Sequence, residues 1–215
     1  MRIAIITGGA GGGHNAAARN LAESAPPGTE VKIFKLEDCL PKTNRRLLIT
    51  SYDFFSTFGK GFLWRFIYWT GNTKLGMLAY KLALTEFSED ARRSVSQAIA
   101  EFKPNKIIST IFLSSPFLNK DLDHIPKYMV VTDFGLHHVW YHPNVFEYFV
   151  ANQEVANALK KIDPHVRVTI TGIPVPKALY TKTEAITSQA SNNQKPKVLL
   201  LAGGTGLMRA DHYVT

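Results

Sequence analysis

Short apolar runs alternate with longer amphipathic stretches along most of the chain. The apolar runs predict β-strands at Arg2–Thr7, Val31–Leu36, Lys106–Phe112, Lys127–Thr132, Phe146–Ala151 and Val166–Thr171. The stretches between them predict helices at Asn15–Ser24, around Arg45–Phe58, and at Lys74–Leu84, Glu89–Phe102 and Glu154–Ile162. This alternation is typical of a parallel sheet with crossover helices, so we expect an α/β fold.

The pattern changes in the last part of the chain and predicts a domain boundary there. Residues 177–195 are rich in Ser, Thr, Asn and Gln, as interdomain linkers are. A new apolar run, Lys197–Ala202, then leads into a glycine loop at Gly203–Gly206. We therefore expect one domain over residues 1–176, a linker over 177–195, and the truncated start of a second α/β domain over 196–215.

The composition narrows the class of protein. One cysteine, Cys39, excludes a disulfide framework and a Cys-rich metal site, and a buried, inert thiol is favoured over a nucleophile. No apolar run has the length of a transmembrane helix, and the N-terminal run is too short for a signal peptide. These features predict a cytoplasmic protein.

The glycine-rich segment "TGGAGGGHNAAA" follows the first predicted strand and suggests a site for an anion, because bare backbone N–H groups can approach phosphate there. A P-loop is excluded, since His14 and Asn15 stand where that motif has Lys and Ser or Thr. A dinucleotide site stays open: Gly11, Gly13 and Ala16 fit its spacing, and Glu37 or Asp38 follows the second strand. A tight turn without a ligand is disfavoured by the entropy cost of five glycines.

His14 adjoins these glycines at the predicted start of a helix. An imidazole there can act as a general base on a hydroxyl group, because its ordinary pKa is near neutral. The alternative is a histidine that only caps or packs against the helix. Periodicity by itself favours that alternative.

A second polar cluster, "VTDFGLHHVWYHP", follows the Lys127–Thr132 run. Asp133 lies at the expected carboxyl end of a strand, where α/β sheets place ligand-binding residues. His137, His138 and His142 raise the possibility of zinc, but adjacent histidines converge poorly on one ion and no Cys ligand accompanies them. A metal site is therefore a minor alternative.

Four motifs in order resemble one family. "GGAGGGHNAAA", "VTDFGLHHVWYHP", "TGIPV" at Thr171–Val175 and "LLLAGGTGL" at Leu199–Leu207 resemble the diacylglycerol glycosyltransferases. That family contains the monogalactosyldiacylglycerol synthases and the bacterial processive diacylglycerol glucosyltransferases. The resemblance covers almost the whole chain.

The resemblance implies the N-terminal half of a GT-B fold, whose two Rossmann-like domains enclose the active site. The expected reaction is inverting transfer of glucose or galactose from a UDP-sugar to the hydroxyl of 1,2-diacylglycerol, without a metal or other cofactor. It implies that the N-terminal domain binds the acceptor, that the C-terminal domain binds most of the donor, and that this chain is inactive alone. Two alternatives are a separate acceptor-binding subunit that recruits a donor-binding partner and, more weakly, a nicotinamide-dependent oxidoreductase.

The resemblance also assigns individual residues. His14 would be the catalytic base, with Asp133 as a second catalytic residue. The acceptor-binding residues would be Gly12, Gly13, His137 and Trp140, and the donor-binding residues would be Gly11, Gly203, Gly204 and Gly206.

A basic and aromatic stretch remains to be explained. Residues 42–82 hold seven Lys and Arg against one Asp, so a net +6 of the chain's +8 lies there, together with ten of its 24 aromatic residues. Part of this stretch is expected to be core, and no nucleic-acid module is visible. An anionic membrane surface fits best, because the acceptor is a lipid. The residues assigned to it are Arg45, Arg46, Lys60, Trp64, Arg65 and Trp69, and the protein is expected to associate peripherally with the membrane.

Overall fold

A single parallel sheet organises the computed structural model, which describes residues 1–8, 12–57, 89–117 and 122–179, with the backbone alone at 51–57 and 115–117. Its strands are β1 (Arg2–Thr7), β2 (Glu30–Lys35), β3 (Lys106–Ser109), β4 (Lys127–Val130), β5 (Glu147–Val150) and β6 (Val168–Ile170). They lie in the order β2-β1-β3-β4-β5-β6, and every neighbouring pair is parallel. The predicted α/β, Rossmann-like fold is confirmed.

The helices follow the predicted alternation. They are α1 (Gly12–Glu23), α2 (Leu36–Cys39), α3 (Lys42–Thr57), α4 (Glu89–Glu101) and α5 (Gln153–Ile162), with 3₁₀ turns at Phe112–Phe117 and His138–Trp140. The four-residue α2 and the first 3₁₀ turn are too short to leave a periodic signal in the sequence. The predicted helix at Lys74–Leu84 lies outside the described residues.

The predicted strand Lys106–Phe112 was wrong at its C-terminal end. The strand ends at Ser109, because the Ser109 side chain bonds to the backbone two residues ahead. Its Oγ donates to the carbonyl of Ile111 at 2.8 Å and accepts from the Ile111 amide at 3.3 Å. This local side-chain bonding competes with continuation of the strand and turns the chain into the 3₁₀ segment. The apolar residues that follow lie outside the strand but still pack on the core: Ile111 is buried, and Phe112 and Leu113 pack against two core clusters.

Both faces of the sheet are covered, as alternate residues of β1 demonstrate. Ala4 and Ile6 pack in a core cluster with Val95 and Ile99 of α4. Ile3 and Ile5 point to the other face, where they join Ala18 of α1 in a separate cluster. A third cluster joins β4, β5 and α5 around Trp140 and Tyr148.

The strand order places a topological switch point between β1 and β3. From β1 the chain passes to β2 on one side, and β3 later adds to the other side. In open α/β sheets a crevice forms beyond the carboxyl ends of the strands at such a point, and ligands bind there. Gly8 follows the carboxyl end of β1, and α1 begins at Gly12.

The predicted domain boundaries stay a prediction. The sheet lies within the predicted domain 1–176, and residues 177–179 adopt helical conformation. The rest of the predicted linker and residues 196–215 lie outside the described residues.

Candidate functional site

His14 lies in the first turn of α1 and is held by the ends of two strands. Thr110, directly after β3, donates its hydroxyl to the His14 carbonyl at 3.1 Å. Thr7, the last residue of β1, donates to the side-chain oxygen of the adjacent Asn15 at 3.2 Å. The backbone at His14 is thus fixed at the switch point.

The His14 ring is fixed separately, by residues that follow β4. Its Nδ1 lies 2.7 Å from the hydroxyl of Thr132, and the two atoms are hydrogen-bonded. The ring also lies beside Trp140, with centroids 6.0 Å apart and planes inclined at 56°. The structure therefore brings together two motifs that are far apart in the sequence.

Trp140 connects this site to the core. Its side chain is fully buried, and the edge of its ring system meets Phe112 at 5.6 Å between centroids. Its indole Nε1 donates to Asp133 Oδ2 at 2.8 Å. A buried, rigid donor therefore holds the Asp133 carboxylate at the carboxyl end of β4.

Burial and the charge of Asp133 shift the pKa values of His14 and His137 in opposite directions. Burial lowers the pKa of His14, while the nearby Asp133 carboxylate and a hydrogen bond with the Thr110 backbone raise it and offset part of that effect. Burial also lowers the pKa of His137, again against the charge of Asp133, while His138 lowers it further. Both imidazoles are therefore favoured in the neutral form near pH 7, and Asp133 lies within electrostatic range of both.

The loop after Asp133 carries an exposed aromatic side chain that the sequence analysis did not single out. Phe134 is 74% exposed. Its carbonyl accepts a hydrogen bond from Nδ2 of Asn152 at 3.0 Å, and Oδ1 of Asn152 caps α5 through the amide of Val155 at 2.9 Å. The backbone of this loop is thus tied to the start of a helix.

The glycines of the loop after β1 have different structural roles. A Cβ at Gly8, whose φ is 156°, would lie 2.5 Å from Glu37 Oε2 and 3.2 Å from the Leu36 side chain, so a larger residue would require both neighbours to shift and would strain the backbone. A Cβ at Gly12 or Gly13 would meet no atom of the described residues within 4 Å. These two exposed residues open α1, where helix geometry leaves backbone N–H groups without intrahelical partners.

The structure also describes the surroundings of the Cys39 thiol and of the candidate metal ligands. Burial and the neighbouring Asp38 and Glu37 charges raise the pKa of the Cys39 thiol, which disfavours the reactive thiolate. Within residues 1–8, 12–57, 89–117 and 122–179, no three His, Cys, Asp or Glu side chains are grouped so that they could hold a metal ion.

Helix α3 contains the described part of the basic stretch. Leu48 packs against the core, whereas Arg46, Leu47 and Ile49 are exposed. Arg45 forms an ion pair with Asp38 at 3.3 Å, with both side chains about half exposed. The described helices include none that is long and apolar enough to cross a bilayer.

The remaining predicted site residues lie outside the described parts of the chain, so their predictions stay untested. They are Gly11, Lys60, Trp64, Arg65, Trp69, Gly203, Gly204 and Gly206. The structure thus brings His14, Asp133, His137 and Trp140 to one edge of the sheet and leaves the donor side undescribed.

Comparison with known proteins identifies the family. The family model of monogalactosyldiacylglycerol (MGDG) synthase matches residues 14–175, which include His14 and the whole segment after β4. The chain belongs to the MGDG synthase family. The resemblance expected from the four motifs is confirmed.

The curated relatives carry a more specific name. The processive diacylglycerol beta-glucosyltransferase of Bacillus pumilus is 27% identical over 97% of this chain and 55% of its own length. The Bacillus subtilis protein of the same name is 25% identical over the same shares, and that of Bacillus cytotoxicus is 32% identical over 55% of this chain and 32% of its own length. This MGDG synthase family chain thus spans about half the length of the curated relatives it matches.

Proposed function

We propose that this chain is the acceptor-binding portion of an inverting glycosyltransferase, which transfers a hexose from a UDP-sugar to the hydroxyl of 1,2-diacylglycerol. Family membership and the names of the relatives support the reaction class. The single observation that carries the assignment is His14 at the switch point, held at its backbone by Thr110 and at its ring by Thr132. A rigidly held, neutral imidazole is what a general base requires.

In the proposed reaction His14 takes the proton of the diacylglycerol hydroxyl. The hydroxyl oxygen forms a bond to the anomeric carbon of the sugar, while the bond from that carbon to the diphosphate breaks. UDP leaves with the electron pair, and the configuration at the anomeric carbon inverts. Because burial favours neutral His14, the base is available near pH 7 without prior deprotonation.

The leaving diphosphate needs positive potential, and no metal is part of this proposal. Backbone N–H groups at the start of α1 and its helix dipole supply that potential around Gly11, Gly12 and Gly13. Gly203, Gly204 and Gly206 are proposed to contribute from the donor side. The exposure of Gly12 and Gly13 at the start of α1 supports this role, because a ligand can approach their backbone.

Asp133, His137 and Trp140 are assigned to the acceptor side of the site. Asp133 stabilises the imidazolium that forms when His14 accepts a proton, because its carboxylate favours the charged ring. Trp140 holds that carboxylate in place. The exposed Phe134 offers an apolar surface beside Asp133, of the kind that a lipid acceptor buries.

Transfer assays test this proposal. The protein in its longest natural reading frame is incubated with diacylglycerol and UDP-glucose or UDP-galactose, and the lipid product is analysed for its sugar and its anomeric configuration. His14→Ala should reduce kcat about 10²–10⁴-fold and spare UDP-sugar binding. His165→Ala, which removes an exposed histidine from the loop after α5, is the matched control and should leave kcat unchanged.

Two outcomes would contradict the proposal. A glycolipid that retains the anomeric configuration of the donor would exclude the inverting mechanism. A near-normal kcat for His14→Ala would mean that His14 only packs or caps the helix, and Asp133 would become the candidate base.

A further inference from the structure

The ring nitrogen that carries the proton of His14 decides whether this residue can act as a base. Neutral imidazole has one N–H, and a general base must present the other nitrogen with its lone pair. The hydrogen bond that one nitrogen makes fixes the tautomer. In this protein that hydrogen bond joins Nδ1 to the hydroxyl of Thr132.

A hydroxyl can either donate to Nδ1 or accept from it, and the two arrangements have opposite consequences. If Thr132 donates, Nδ1 carries the lone pair and Nε2 carries the proton, so Nε2 cannot take another. If Thr132 accepts from Nδ1–H, Nε2 is the unprotonated nitrogen. Only the second arrangement leaves Nε2 free to receive a proton from an acceptor hydroxyl.

We propose that Thr132 is a positioning residue for His14, whose hydroxyl accepts a hydrogen bond from Nδ1–H and so sets the tautomer with an unprotonated Nε2. This inference rests on the proposed role of His14 as the general base. The hydrogen-bond partner of Nδ1 is the neutral hydroxyl of Thr132. The Asp133 carboxylate accepts a hydrogen bond from the indole of Trp140.

The surroundings of Thr132 suit a positioning role. It follows Val131, which is fully buried and whose amide donates to the carbonyl of Phe149 at 2.9 Å, so the backbone before Thr132 is fixed in the sheet. Its β-branched side chain has restricted χ1 rotation. Thr110 fixes the His14 backbone from the neighbouring strand end through its hydroxyl, and the Thr110 backbone also acts on the His14 ring and raises its pKa in all three proteins of the test below.

The main test reads the tautomer directly and needs no sugar transfer. Two-bond ¹H–¹⁵N correlation spectra of the histidine-labelled 215-residue chain distinguish Nδ1–H from Nε2–H rings across a pH titration. We expect His14 to have the Nδ1–H form in the parent chain and in Thr132→Ser, which keeps the hydroxyl. In Thr132→Val, which replaces the hydroxyl with a methyl group, the Nε2–H form should become populated.

The titration gives a second test, because the two arrangements predict opposite changes in the pKa of His14. A hydroxyl that accepts from Nδ1–H stabilises imidazolium more than neutral imidazole, so its removal in Thr132→Val should lower the pKa of His14. A hydroxyl that donates to Nδ1 is lost as a partner when the ring is protonated, so its removal would raise that pKa. Asp133 is the charged group acting on His14 among the described residues, and it is present in all three proteins.

An Nε2–H tautomer in the parent chain, or a raised pKa of His14 in Thr132→Val, would overturn the inference whether or not His14 is the base.

In the transfer-competent protein, Thr132→Val should lower kcat about 10- to 10²-fold with little change in KM, and Thr132→Ser should restore it. If the spectra show the expected tautomer but His14→Ala keeps full activity, the proposed function is wrong. The inference that Thr132 positions the His14 ring would still hold. Equal kcat for Thr132→Val and the parent would mean that the hydrogen bond has only a structural role.

Discussion

At the scale of single residues, Trp140 serves both the core and the site. Its ring is fully buried in the cluster around β4 and β5, and its N–H holds Asp133 at 2.8 Å. A buried aromatic residue with a polar tip pointing into a site is a rigid anchor for the group that it binds. The position of the carboxylate beside His14 therefore depends on the packing of the core.

Trp140→Phe tests this dependence. The change leaves an aromatic ring but removes the indole N–H and part of the buried volume, so we expect a loss of about 2–4 kcal/mol in the free energy of unfolding. Chemical denaturation followed by circular dichroism measures it. Phe112→Leu, which reduces ring volume in the same cluster without removing a hydrogen bond, is the control and should cost less. Equal losses for the two variants would assign the whole effect to packing.

At the scale of elements, α3 has a buried side and an exposed side with different chemistry. Leu48 contacts the core, while exposed Arg46 lies beside exposed Leu47 and Ile49. Exposed cations next to exposed apolar side chains are typical of helices that lie on anionic membranes. The Arg45–Asp38 ion pair is also about half exposed, so screening limits its strength.

Vesicle co-sedimentation tests the membrane surface of this stretch. The 215-residue chain should bind vesicles that contain anionic lipid and bind zwitterionic vesicles weakly, because each cation contributes ~1 kcal/mol near an anionic leaflet. Added salt should weaken the binding, since screening acts over ~8–10 Å, but inserted apolar area should preserve part of it.

Replacing Arg45, Arg46, Lys60 and Arg65 with glutamine should reduce the binding to anionic vesicles while the chain stays folded. The matched control removes the same charge elsewhere, by replacing Arg92 and Arg93 of α4 and Lys160 and Lys161 of α5 with glutamine. If both quadruple variants lose binding equally, net charge rather than this stretch attracts the protein. Unchanged binding in the first variant would make the stretch core or a protein interface.

At the scale of the whole molecule, the described sheet gathers the candidate site residues at one edge. His14, Thr132, Asp133 and Trp140 all lie at the carboxyl edge of one sheet. The curated relatives are about twice as long as the part that this chain matches. In the proposed arrangement, the groups that hold most of the UDP-sugar come from a second α/β domain.

We therefore expect the purified 215-residue chain to transfer no sugar, because it spans about half the length of the curated relatives it matches. The longest natural reading frame that contains the chain should be active in the same assay with radiolabelled UDP-sugar. Activity that appears only after a second, separate protein is added would instead favour the alternative of a recruiting subunit. Turnover by the 215-residue chain alone would contradict the two-domain interpretation.

The sequence by itself determined the class of fold and most of the elements. Apolar runs and amphipathic periodicity are local properties, so they placed β1 at Arg2–Thr7 as observed and α5 within one residue of Gln153–Ile162. Motifs read in order also identified the family, and they pointed to His14, Asp133, His137 and Trp140. Local patterns failed where a single side chain ended an element, as Ser109 does for β3.

Only the tertiary structure decided which of these residues meet. His14 and Thr132 are 118 positions apart, and they became neighbours because the strand order places the ends of β1, β3 and β4 side by side. Strand order depends on non-local packing, which no local pattern encodes. For the same reason local patterns assigned no role to Thr132, which is an ordinary threonine after a strand until the fold places it beside His14. Phe134 adjoins Asp133 in the sequence, but only the fold shows that its side chain is exposed.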